Sequence, residues 1–342
     1  MRLGIDTYSI RLQGWDAFQT LDYASRLGLD VVQFSTRENL GSHDPGYLQE
    51  LKSHADGLGL QIELGMWSID RFAAGFRADL GSAVEQLTDM CHAAAQVGSP
   101  VLRCIMGMQS DRLGPVPIQE HIAECVRTLK QVAPLARDLG LKIAPENHGF
   151  GDLLADEMKA LVEAAGPDYV GVTLDTGNPM FAAENPLYSA QVLADYVATT
   201  HFRDTAVWEH PRGAEGQWTI LGRGVVDLQG VRDVLQARCP HVAVDLETIT
   251  GGAPRVIPFL EAESDFWRMY PDMPARSLAR FVALARKGTQ LNLQPLDQLT
   301  GAVGPDTPPD LAERLRAQQL EHFEQSVAYA KEHLSLGERR TR

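Results

Sequence analysis

Short apolar or β-branched runs alternate with longer amphipathic stretches along this chain, the pattern of βα units wound around a parallel sheet. Strands are expected over 2–9, 31–35, 61–66, 101–107, 142–148, 170–178, 197–204 and 242–248. Helices fall between them over 16–27, 45–58, 81–97, 118–139 and 153–165. Several of these helices run into a glycine before the next strand, at Gly28, Gly59, Gly98 and Gly140, as helix ends with a left-handed cap do. About eight strands with helices between them fit a closed (β/α)8 barrel, of class α/β, which leaves no sheet edge. The alternative, an open doubly wound sheet, lacks its dinucleotide fingerprint, because no Gly-x-Gly-x-x-Gly follows the first strand.

Two long connections depart from this rhythm. Residues 205–226 hold Trp208, His210, Arg212, Trp218 and Arg223, and read as a loop at the mouth of an active site. Residues 249–270 contain Pro254 and Pro258 and read as ordered, irregular chain. Beyond Lys287 the chain turns polar and proline-bearing, and 310–336 then reads as one or two helices. The expected organisation is a barrel domain over 1–286 and a partly helical C-terminal extension over 287–342, packed on the barrel or on a second subunit.

Composition narrows the function. The 342 residues carry a formal charge of −14, which speaks against a partner with a phosphate backbone, so no nucleic acid is expected. No apolar run is long enough to span a bilayer, so no membrane is expected either. Cys91, Cys104, Cys125 and Cys239 form no CxxC pair, which suggests reduced thiols and a cytoplasmic location.

The chemistry collects at strand ends. Glu146, Asp175, His201 and Glu247 each end an apolar run, one on each of the last four expected strands. In a barrel such positions converge on one face. Three carboxylates brought together repel each other unless a cation neutralises them. One imidazole with three carboxylates suits Mn²⁺, or Mg²⁺ or Co²⁺, better than a structural zinc. Any one of these residues alone would more often be a helix cap or a structural side chain; the force of the assignment lies in the four together. His148 points to the same side of its strand as Glu146, as a catalytic candidate that hydrogen-bonds a substrate hydroxyl or shuttles a proton, with orienting a ligand equally open. Glu63 and Arg103 are charges inside barrel strands, expected to pair with each other or to bind substrate. Arg203 and Arg223 are further anion candidates, with a surface role equally open.

The segments Glu146-Asn147-His148, Leu174-Asp175-Thr176-Gly177-Asn178, His201-Phe202-Arg203-Asp204, Leu221-Gly222-Arg223-Gly224 and Leu246-Glu247-Thr248 resemble the xylose-isomerase-like TIM-barrel superfamily. This is the sugar-phosphate isomerase/epimerase group, with hydroxypyruvate isomerase, inosose dehydratase and the ketose 3-epimerases. The resemblance spans roughly residues 1–285. It implies one divalent metal held by Glu146, Asp175, His201 and Glu247, and proton transfer through an enediolate with Glu146 and Glu247 as acid and base. The substrate expected is a small sugar, keto-sugar or sugar acid, and the enzyme an isomerase or epimerase. One departure bears on substrate contact: the epimerases have histidine three residues after the metal-binding Asp, where this chain has Asn178. The stretch from Thr250 to Pro258, with Phe266-Trp267, is similar to 3-oxo-isoapionate decarboxylases and to large subunits of C-glycoside deglycosidases. That likeness brings in a lyase of the same site design and a homo-oligomer or small accessory subunit as partner. A non-catalytic sugar-binding barrel is a further alternative. The related abasic-site endonucleases need more histidine ligands and a basic surface, which this chain lacks.

Overall fold

The computed structural model describes residues 1–299, 303–304 and 306–337. Its strands are β1 (Leu3–Asp6), β2 (Val31–Phe34), β3 (Gln61–Ser68), β4 (Val101–Ile105), β5 (Lys142–Glu146), β6 (Val172–Asp175), β7 (Val197–His201), β8 (Asp204–His210), β9 (Gly213–Thr219), β10 (Val244–Leu246) and β11 (Arg255–Ile257). Its helices are α1 (Ala17–Arg26), α2 (Pro45–Leu58), α3 (Ala83–Val97), α4 (Ile118–Asp138), α5 (Ala155–Ala165), α6 (Pro186–Leu193), α7 (Leu228–Arg238), α8 (Asp265–Met269), α9 (Ala275–Ala285) and α10 (Pro309–Leu334).

Eight parallel strands run in the order β10-β1-β2-β3-β4-β5-β6-β7. The ring closes where Phe202, just past β7, meets Leu246, with Phe202 N–H donating to Asp245 O at 2.8 Å and Glu247 N–H to Phe202 O at 3.2 Å. This is a (β/α)8 barrel. Its strands are buried on both faces, which is why they read as apolar runs without alternation. The helices start on side-chain caps. Asp16 and Ser82 form capping boxes for α1 and α3, and Asp44 caps α2 ahead of Pro45. Gly59 and Gly98 close α2 and α3 at φ of 72° and 74°.

Most barrel strands stop sooner than the apolar pattern suggests, and β1 and β6 each end on a carboxylate that accepts from the turn beyond it. Asp6 accepts from Tyr8 N–H at 3.0 Å, and Asp175 from Gly177 and Asn178 N–H at 2.7 and 2.6 Å. Each folds the chain back on itself at the top of the barrel.

The connection after β7 is not a loop. It is an antiparallel hairpin of β8 and β9 turned through Pro211 and Arg212, with Val207 opposite Gly216. The segment expected to be irregular after β10 supplies β11, which pairs with β9 through Val256 and Glu215. The three-stranded sheet walls one side of the barrel mouth and carries Trp218 inward.

After α9, which packs on β8, the chain returns as α10 against α7 and against the turn Thr7–Gln13 that follows β1. The Phe323 ring lies 6.3 Å from that of Tyr23, and Gln319 Oε1 accepts from Leu12 N–H at 3.0 Å. Lys331 Nζ donates to Leu27 O at 2.6 Å, and Gly337 N–H to Met1 O at 3.1 Å. The extension thus fills a place in the helical layer. Phe323 is fully buried, so Phe323→Ala should lower unfolding stability by about 3 kcal/mol. Urea denaturation reads this directly; a loss under about 1 kcal/mol would mean that α10 is not part of the cooperative fold.

Candidate active site

Glu146, Asp175 and His201 end β5, β6 and β7, and Glu247 follows β10. Each offers a donor atom, and these atoms lie within 4.8 Å of one another, all from buried residues. The register makes this meeting: Asp175 pairs with His201 across β6 and β7, and Glu146 with Thr173 across β5 and β6. Asn147 fastens the second pair, donating to Asp175 O at 2.9 Å and accepting from Asp175 N–H at 2.8 Å.

Two guanidinium groups press into the carboxylates. Arg103 Nε donates to Glu146 Oε2 at 2.6 Å. Arg203 Nε donates to Asp175 Oδ2 at 2.7 Å, and its Nη2 lies 2.5 Å from Glu247 Oε2. Both are buried, so these contacts are strong and their charges are committed within the site. Glu63 is therefore not the partner of Arg103. In register Arg103 stands opposite Gly65, which places Glu63 one layer lower in the barrel. There Glu63 accepts from Gln33 Nε2 at 3.1 Å and Thr199 Oγ1 at 2.6 Å, outside the lining of the cavity. Arg223 is exposed and donates to Gln325 of α10 at 2.9 Å, also away from the cavity.

The two glutamates are not equivalent. Burial favours the neutral form of Glu146, but Arg103 and His201 outweigh it and hold this carboxyl well below its usual range. Burial lifts Glu247 to about 8 against the opposing pull of Arg203 and His201. Glu247 lines the cavity and Glu146 lies beneath it.

The donor set fits a divalent ion. His201 Nε2 donates to Gln33 Oε1 at 2.5 Å, which leaves Nδ1 facing Glu146 Oε2 at 3.1 Å and Glu247 Oε2 at 3.6 Å. His201 Nδ1 is buried with no hydrogen-bond partner among the described residues. Burial opposes charge on His201, yet Glu146, Asp6 and Glu247 overcome it and raise its pKa well above the ordinary value. The pocket thus asks for a positive charge beside Nδ1. A hard divalent cation would supply it with ligand bonds as well. Glu146, Asp175, His201 and Glu247 would hold that ion.

Above these groups opens a cavity of about 230 Å³ at the C-terminal ends of the strands. His148 lines it; its Nδ1 donates to Gly107 O at 2.8 Å, so Nε2 is left as an acceptor. Burial lowers its pKa to about 4, which keeps the ring neutral near pH 7. Asn178 also lines the cavity and donates to Glu146 Oε1 at 3.4 Å. Trp218 stacks on Phe150 at 4.5 Å between ring centres and lies under the Arg203 guanidinium at 4.3 Å. This aromatic wall covers the buried charges from the hairpin side.

The sequence profile of the family described as xylose isomerase-like TIM barrel matches residues 21–268. The chain belongs to this family. Among its relatives, inosose dehydratase 2 of Bacillus cereus is 24% identical over 172 residues, which is 47% of this chain and 55% of that protein. The chain thus matches about half the length of that dehydratase. The 3-oxo-isoapionate decarboxylase of Pectobacterium atrosepticum is 22% identical, covering 63% of this chain and 71% of its own. Among solved structures, D-psicose 3-epimerase from Clostridium cellulolyticum H10 has the same fold. It superposes with a TM-score of 0.60 at 16% identity, covering 83% of this chain and 96% of that one.

Sequence reasoning missed Gln33, which sits mid-strand in Val31-Val32-Gln33-Phe34 and carried no visible signal beyond being polar in an apolar run. Its amide fixes the His201 tautomer and ties it to Glu63, Thr199 and Asp245. Gln33→Leu should weaken Mn²⁺ binding about 10- to 100-fold with the fold intact. Metal titration of the variant checks this, and unchanged affinity would remove Gln33 from the site.

Proposed function

We propose that this member of the xylose isomerase-like TIM barrel family is a divalent-metal-dependent enzyme that moves a proton beside the carbonyl of a small sugar, keto-sugar or sugar acid, as an isomerase or epimerase does. The observation that carries the proposal is the buried set of Glu146, Asp175, His201 and Glu247 at the floor of a cavity at the barrel's C-terminal face. Carboxylate-rich ligation favours Mn²⁺, with Mg²⁺ or Co²⁺ as substitutes. When bound, the ion supplies Lewis-acid polarisation of a substrate carbonyl.

The protein's own groups do the rest. Glu247 reaches the cavity and is the base in this proposal. Glu146, expected as its equal partner, is better suited to holding charge, because Arg103 keeps it ionised below the cavity. Neutral His148 presents Nε2 to the same space, where it can bond a substrate hydroxyl or take a proton. Asn178 offers an amide between them. Trp218, Phe150 and Phe181 exclude water from one side, which strengthens every charge inside.

A lyase reaction is the second reading, as a 3-oxo sugar acid decarboxylase or a 3-oxo C-glycoside deglycosidase. What favours it is the decarboxylase relative, whose similarity extends over 71% of its length.

The test is incubation of Mn²⁺-loaded protein in D₂O with a panel of keto-sugars and 3-oxo sugar acids, followed by mass spectrometry of the recovered sugar. Wild type should place solvent deuterium on carbon, and Glu247→Gln should cut the rate about 10²- to 10⁴-fold. Release of CO₂ or of an aglycone selects the lyase. Metal-loaded protein that exchanges no deuterium and releases neither product would contradict both reactions.

A further inference from the structure

Three arginines border the cavity, and the third differs from the other two. Arg103 and Arg203 are spent on Glu146, Asp175 and Glu247. Arg11 lies in the turn after β1 and lines the cavity with Tyr8 and Ile249. Its Nη1 donates to Tyr8 O at 3.1 Å, and its guanidinium lies 4.5 Å from the Tyr8 ring centre. Among the described residues no salt bridge reaches it. Burial lowers its pKa, and the pull of Tyr8 and the more distant Glu247 does not make this up, whereas paired carboxylates raise those of Arg103 and Arg203.

Charge counting makes the mismatch specific. Asp6, Glu146, Asp175 and Glu247 form the acidic floor, and Arg103 and Arg203 balance two of these four carboxylates. One divalent ion balances the remaining two. Arg11 is then a positive charge at the cavity wall with no salt-bridge partner among the described residues. Its half-buried guanidinium keeps free N–H groups, and such a fork is shaped for a carboxylate.

We infer that Arg11 receives a carboxylate of the substrate, so that the enzyme acts on a sugar acid in preference to a neutral sugar. This deepens the metal-dependent assignment and rests on it, since the charge count includes the ion. One surplus charge suits a monoanionic carboxylate better than a phosphate, which carries nearly two. Arg223 and Arg203, the anion candidates from sequence, do not serve: one faces α10, and the other is already shared by two carboxylates.

The experiment is calorimetric titration of Mn²⁺-loaded wild type, Arg11→Met and Arg11→Lys with D-gluconate, D-glucitol and D-glucitol 6-phosphate, with Mn²⁺ content measured in each sample. Wild type should bind gluconate about tenfold or more tighter than glucitol. Arg11→Met should abolish that preference while leaving glucitol within about twofold, and Arg11→Lys should retain part of it. The inference is overturned if gluconate and glucitol bind alike, if Arg11→Met leaves gluconate unaffected, or if the phosphate binds better than gluconate. Those outcomes with about one Mn²⁺ per chain leave the metal assignment standing. Protein that takes up no Mn²⁺ refutes that assignment and the charge balance built on it.

Discussion

Negative charge crowded into a dry space is the constraint on which this molecule depends. Asp6, Glu146, Asp175 and Glu247 are each nine-tenths buried or more, and their charges repel through a medium that screens poorly. Such a cluster survives only with cations set among it. The fold supplies two guanidinium groups, and His201 shows by its raised pKa that more positive charge is wanted. Removing either arginine would leave a carboxylate buried and unpaired, so these residues support the fold as well as the chemistry.

The barrel itself brings the charges together. Parallel strands aim their ends at one face, and register decides which side chains meet there. Gln33 and Asn147 then set orientation, one by choosing the nitrogen that His201 presents and the other by latching β5 to β6. The hairpin of β8 and β9, bound to β11, adds an aromatic cover that the eight barrel strands alone would lack. Electrostatic demand, the stops of the strands and the closing wall are parts of one arrangement.

Much of this was legible in the sequence. Apolar runs marked the barrel strands, and a polar residue at the end of each marked the four donor positions. What was not legible depended on pairing across strands. Arg103 and Glu63 looked like partners because both are charges inside strands, but the stagger of β3 against β4 puts them in different layers. The hairpin was hidden because Pro211-Arg212-Gly213 reads as loop chemistry, although it also turns two short strands. The C-terminal helix gave its periodicity but not its place, since Phe323 finds Tyr23 only in the folded ring. Arg11 and Gln33 carried no motif at all; their importance comes from what their neighbours have already used.

Glu146, Asp175, His201 and Glu247 are proposed to hold one divalent ion together. Crystals grown or soaked with Mn²⁺ and measured near the manganese absorption edge would locate it. One strong anomalous peak per chain is expected, within bonding distance of donor atoms from those four residues. Anomalous density elsewhere, several metal peaks, or none with Arg203 still bridging Asp175 and Glu247, would contradict it.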